Sequence, residues 1–144
     1  MDRLEKHYTE KYENAKSLLK NILKSNANNG KAAFLLGNIY LKQEYADSAK
    51  VAFDKGLSAS DDGKLNNIGL GQLDLDKGDV AAAQSKFDEA IKSAKRKDIT
   101  PYVYTAYAYI NSEKPNYNAA IAQLKKAKEI VGNVANADID LALG

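Results

Sequence analysis

The sequence predicts an all-α fold, an α–α superhelix in which antiparallel helix pairs stack side by side as a solenoid. Three observations carry this expectation. A pattern of small, aliphatic and aromatic residues returns at a constant offset of 34 positions, and self-similarity at periods of roughly 20–50 residues marks helical repeats and related arrays. Only two prolines interrupt the 144 residues, so helix breakers are scarce, and no segment alternates as a strand would. The clusters Asn28-Asn29-Gly30, Asp61-Asp62-Gly63 and Lys77-Gly78-Asp79 fall between the periodic runs, where glycine and capping side chains are wanted.

Leu36-Gly37, with Tyr40 just beyond, precedes Ala49, Phe53 and Gly56; Leu70-Gly71 precedes Ala83, Phe87 and Ala90, each 34 positions later. These residues resemble the tetratricopeptide repeat, in which a Leu-Gly pair and an aromatic mark helix A while Ala, Phe and Ala mark helix B. Two antiparallel helices approach closely only where small side chains meet. Gly37 with Ala49 and Gly71 with Ala83 would allow that approach, and Phe53 and Phe87 would fill the space one turn further on.

In chain order, Tyr8, Tyr12, Ala15, Leu19 and Ile22 recur at helical spacing and predict a first helix over 3–25; Ala15 and Leu19 also stand 34 before Ala49 and Phe53, so it reads as a helix B. Helices at 30–42 and 45–58 form the next pair, and 63–76 and 79–96 the one after. The third copy has Ala120, Leu124 and Ala127 in helix B at an offset of 37, which implies three extra residues, placed near Ser93 to Thr100. Its helix A, at 101–112, has two registers. Tyr107-Ala108 fits the Leu-Gly slot if the following loop is of standard length. Ala106 with Tyr109 fits if the loop around Pro115 is two residues longer, and this is the register preferred. Thr100 and Pro101 read as N-cap and first helical residue, and Asn116 as the cap of a helix at 117–131.

A stub at 135–143, capped by Asn136, ends in Ala142-Leu143-Gly144 and repeats the Leu-Gly pair. The whole chain, 1–144, thus reads as a single array: a partial repeat over 1–29, repeats over 30–63, 64–98 and 99–133, and the start of a further helix over 134–144. Arrays usually close with polar capping helices, and neither end offers one. The expectation is a piece of a longer array whose exposed terminal helices favour self-association.

Composition narrows the function. The chain is 44% hydrophobic and 28% charged, as in a globular domain. A formal charge of +2 provides little field to attract phosphate backbones. Lys95-Arg96-Lys97, the densest basic run, is expected at a helix end where cations complement the dipole, so no nucleic-acid partner is expected. No run reaches the roughly 20 apolar residues of a membrane span, so this segment is not expected to insert. With no cysteine there is neither disulfide nor thiolate site. His7 stands alone, Ser48 and Ser93 lack an activating histidine, and there is no glycine-rich phosphate loop. No enzyme, no cofactor and no metal is expected. Asp74, Asp76 and Asp79 form an acidic string, but Ser85 stands where a calcium loop needs its bidentate glutamate.

The resemblance implies a protein or peptide partner, held along the concave wall lined by helix A. Position within the repeat assigns Phe34, Asn38, Leu41, Leu65, Ile68, Gln72 and Leu75 to that groove, with Tyr102, Thr105 and Tyr109 from the third copy. Of these, Leu41 and Ile68 could equally serve packing between repeats. Some tetratricopeptide domains clamp a chaperone's C-terminal carboxylate with lysine, arginine and asparagine. This sequence departs from that pattern, with Phe34, Ile68 and Thr105 or nearby tyrosines in the cationic slots and only Asn38 matching. The leading expectation is an interaction module or scaffold. The alternative is a structural spacer or oligomerisation segment of a larger bacterial envelope protein, with periplasm, cell envelope and cytoplasm all open.

Overall fold

The computed structural model describes residues 2–132. The expected stub at 135–143 and the Asn136 cap lie outside the described residues. The helices are α1 (Arg3–Ser25), α2 (Gly30–Lys42), α3 (Ala46–Leu57), α4 (Asn66–Asp76), α5 (Val80–Lys92), α6 (Thr100–Asn111) and α7 (Tyr117–Val131), with a 3₁₀ turn at Gly63–Leu65 leading into α4. Among the described residues there is no strand, only an isolated parallel bridge between Asn29 and Asp61. All-α architecture follows, in antiparallel pairs joined by short loops.

The helix starts explain themselves chemically. The side chains of Asp2, Asn29, Asp79 and Asn116 accept the backbone N–H groups of Glu5, Ala32, Ala82 and Ala119 at 2.8, 2.9, 3.1 and 3.0 Å. Each satisfies a donor that the first turn leaves without a partner. Thr100 departs from expectation: it is the first helical residue, and its own N–H donates to the Asp98 carboxylate at 2.9 Å. The end of α5 also departs. The helix stops at Lys92 and not near 96, with the Ser93 hydroxyl donating back to the Ala90 carbonyl at 2.7 Å, a local bond that competes with helix continuation. Lys95-Arg96-Lys97 therefore lies beyond the helix, with Lys97 at φ 67°.

The helix boundaries settle the register of the third copy. Helices α2, α4 and α6 each end five residues after Gly37, Gly71 and Ala106, and α3, α5 and α7 each begin three residues before Ala49, Ala83 and Ala120. Loops 43–45 and 77–79 have three residues; loop 112–116 has five. Two of the three extra residues therefore sit around Pro115, not all near Ser93 to Thr100. Burial agrees: Ala106 is 0% exposed, while Tyr107, which the other register would bury in the leucine slot, is 44% exposed. In the two short loops Glu44 and Gly78 occupy the same left-handed position, at φ 66° and 86°.

The described residues form two compact units, divided between Gly69 and Leu70. In the first, α1 packs on α2 and α2 on α3. Phe53 is fully buried, with the Phe34 ring 6.1 Å away. Gly37 and Gly69 both face its ring, so closely that a Cβ on either would collide with it. Gly37→Leu should thus overpack the α2–α3 seam and cost about 1–3 kcal/mol, read as a lowered urea midpoint with an unchanged slope. In the second unit, α6 packs on α7 and also meets α5. Phe87 meets the Gly71 backbone and the Tyr109 ring, whose centroid lies 5.0 Å away at 62°, an edge-to-face geometry that favours aromatic pairs. Ala83, Ala90, Ala120, Leu124 and Ala127 complete this core.

Candidate functional site

The residues expected along helix A separate by exposure. In the first unit Phe34, Leu65 and Ile68 are 2%, 7% and 1% exposed. They are core, with no surface to offer a ligand. Asn38 and Leu41 on α2 are half-buried and reach solvent. In the second unit Thr105 is fully buried and its hydroxyl has no hydrogen-bond partner, while Tyr109 is buried against Phe87. Burial pushes the Tyr109 phenol above its ordinary pKa, with Gln84 bonding opposing and the Asp88 charge adding to the rise. Gln72, Leu75 and Tyr102 are half-buried, and the Gln72 carboxamide donates to the Asn111 carbonyl at 3.5 Å.

Asn38 and Leu41 are three residues apart and share one face of α2. Their chemistry is an amide beside an aliphatic surface. Gln72 and Tyr102 add an amide and an aromatic in the second unit. Amides can pair with a peptide backbone, and tyrosine supplies rigid contact area at low entropy cost. Nothing in either set can act as a nucleophile with its base.

The acidic string is fully engaged within the second unit. Asp74 pairs with the Lys86 ammonium, Asp76 accepts the Glu113 N–H at 2.9 Å, and Asp79 caps α5. Among the described residues no group of three His, Asp or Glu side chains is placed to hold a metal ion.

Two features of the first unit escaped the sequence reading. Lys16 is buried to 7% exposure, its ammonium 2.9 Å from the Glu13 carboxylate and 5.1 and 5.7 Å from the Tyr40 and Tyr45 ring centroids. This cation between two aromatic faces fastens α1 to the α2–α3 hairpin. The Lys16 bond, with that of Gln43, holds the Glu13 carboxyl below its ordinary pKa. Beside this cluster a trough of ≈ 580 Å³ opens between α1 and α3, floored by Ala33, Leu36 and Tyr40 of α2. Lys20 and Leu23 line one wall, and Val51 and Lys55 the other. The only trace of it in the sequence is Val51, an apolar residue outside the repeat pattern, here 54% exposed.

Comparison with known families places residues 30–62, which span α2 and α3, in the tetratricopeptide repeat family. A search of curated proteins gave no match. Among the described residues no helix is long and apolar enough to cross a membrane.

Proposed function

We infer, taking as premise that the chain is an all-α helical repeat of the tetratricopeptide family, that its protein-binding work is done by the solvent-reached side chains of helix A. Tetratricopeptide repeats are protein-interaction modules and typically not catalysts, and this chain is one of them. The finer reading is that an extended or helical peptide lies against Asn38 and Leu41 in the first unit, and that Gln72, Leu75 and Tyr102 offer a surface of the same kind in the second. The observation that supports it is that these half-buried residues reach solvent beside core positions of the same helices. An aromatic and an aliphatic surface flanked by amides suits a peptide whose backbone needs partners and whose side chains need cover.

The test uses peptides selected on the intact chain from a random display library. Tyr102→Ala should weaken peptides that bind the second unit by about 2 kcal/mol, roughly thirtyfold, as loss of an aromatic anchor does, and Asn38→Ala should weaken those that bind the first by less. Both variants should keep the far-UV helical signal. Phe34 is unsuitable as a probe, because its burial would confound binding with folding. Peptides that bind both variants as well as the parent would sink the groove reading and favour a spacer or oligomerisation role.

A further inference from the structure

The trough between α1 and α3 is a second docking site, and the geometry points to an amphipathic helix with acidic flanks as its occupant. Its floor residues Ala33, Leu36 and Tyr40 lie on a different stripe of α2 from Asn38 and Leu41. At 3.6 residues per turn the two stripes stand about 130° apart around the helix axis, so both faces can be occupied at once.

Three observations select the occupant. Apart from Ala27 in the loop after α1, the lining belongs to helices, so it offers no strand edge to an extended chain. A segment entering here must satisfy its own N–H and C=O groups, which a helix does. The lining runs for about two helical turns along α3, from Asp47 to Lys55, and from Lys20 through Leu23 on α1 to Ala27 in the loop beyond it, enough for apolar side chains at i, i+3, i+4 and i+7. Leu23 and Val51 supply the matching apolar surface above the buried floor of Ala33 and Leu36, and Val51 is left 54% exposed there.

Charge adds the third. Antiparallel packing of α1 and α3 on α2 puts Lys20 towards one end of the trough and Lys55 towards the other. The ion pairs among the described residues use Lys16, Lys50 and Lys86, so neither of these ammoniums is held in a salt bridge, and the Glu13 carboxylate whose charge Lys20 feels is already paired with Lys16. Lys20 lies over the Tyr40 ring, 5.9 Å from its centroid. Asp47, also in the lining, sits in the first turn of α3, where the helix dipole offsets its charge. The two lysines are therefore available to carboxylates flanking an apolar stripe.

The probe is a synthetic helical peptide, stapled on its outer face, with leucines at i, i+3, i+4 and i+7 and glutamates beside them. A sister peptide carries lysine in place of each glutamate. Fluorescence anisotropy with the full chain should show saturable one-to-one binding of the acidic peptide. The affinity should fall about tenfold or more with Val51→Asp and with Lys55→Glu, and Tyr102→Ala should leave it unchanged. Both substitutions are at exposed positions, and circular dichroism checks that they fold. Methyl NMR shifts on peptide addition should cluster at Leu23, Leu36 and Val51. The proposal is overturned by no saturable binding, by binding indifferent to Val51→Asp, or by equal binding of the lysine peptide. A dimer of the chain alone that Val51→Asp dissolves, seen by sedimentation, would overturn it too, since a second copy would then hold the trough. Failure of the helix A reading would appear separately, as selected peptides indifferent to Tyr102→Ala.

Discussion

Phe53→Ala should lower stability by about 3–5 kcal/mol, the usual cost of emptying a buried phenylalanine site. Phe53 is 0% exposed, and its ring is enclosed by the Gly37 and Gly69 backbones with Phe34 beside it. Two of these contacts are therefore main chain, on separate helices that cannot slide inwards as flexible side chains would. The cavity stays open, and the loss belongs at the upper part of the range. With slopes of about 1–3 kcal/mol/M for small proteins, the urea midpoint should fall by more than about 1 M. A drop under 1 kcal/mol would mean that α2 and α4 collapse onto the vacated space, and that the ring is not what sets their spacing.

Gly30→Ala should cost about 3 kcal/mol, at the upper end for overpacking, although alanine is the better helix former. A Cβ there would stand 2.5 Å from the Asp61 carbonyl oxygen and 2.6 Å from the Gly63 nitrogen. Those atoms are backbone and are held in place: Gly30 N–H donates to the Asp61 carbonyl at 2.7 Å, and the Asn66 carboxamide donates to the Gly30 and Gly63 carbonyls at 3.0 and 3.1 Å. Relief of the clash must break that set, and Asn66 is fully buried, so its donors would be left without partners. Amide exchange should register it directly, with the Gly30 N–H losing its protection. Stability equal to the parent's would mean that the loop at 58–63 can swing away freely.

Much of this architecture was legible in the residues because the repeat ties each helix to a small side chain. Gly37, Gly71, Ala49, Ala83 and Ala120 mark close approaches, and asparagine or aspartate at 29, 79 and 116 announces the next helix. Side-chain hydroxyls and turn carboxylates were harder to read. Thr100 could cap, but it is helical and its own N–H is taken by the Asp98 carboxylate; Ser93 looks neutral within a helix, but its hydroxyl bonds the backbone and the helix ends. The binding face was the least legible part. From Leu65 to Gly71 every residue is buried, so no polar stripe distinguishes the free side of that segment from its packed sides. Position in the repeat therefore put Leu65 and Ile68 in a groove when they are core. The trough was invisible for a related reason. It arises where α1 and α3 leave α2 uncovered, and spacing within one helix carries no information about a gap between two others.

The hydrogen bonds joining Gly30, Asp61, Gly63 and Asn66 link the entry of one helix pair to the entry of the next. In a linear array stability is close to a sum of each repeat's own term and a term for each interface, so a stitch at this point strengthens only the second. It makes the fate of one repeat depend on its neighbour. Heat or mechanical pull applied to the first pair must open this stitch before the pair can melt by itself, and once open it deprives α4 of its first turn's anchor. Local fraying is thereby turned into an advancing front, and the α2–α3 pair and the start of α4 should let go in a single step.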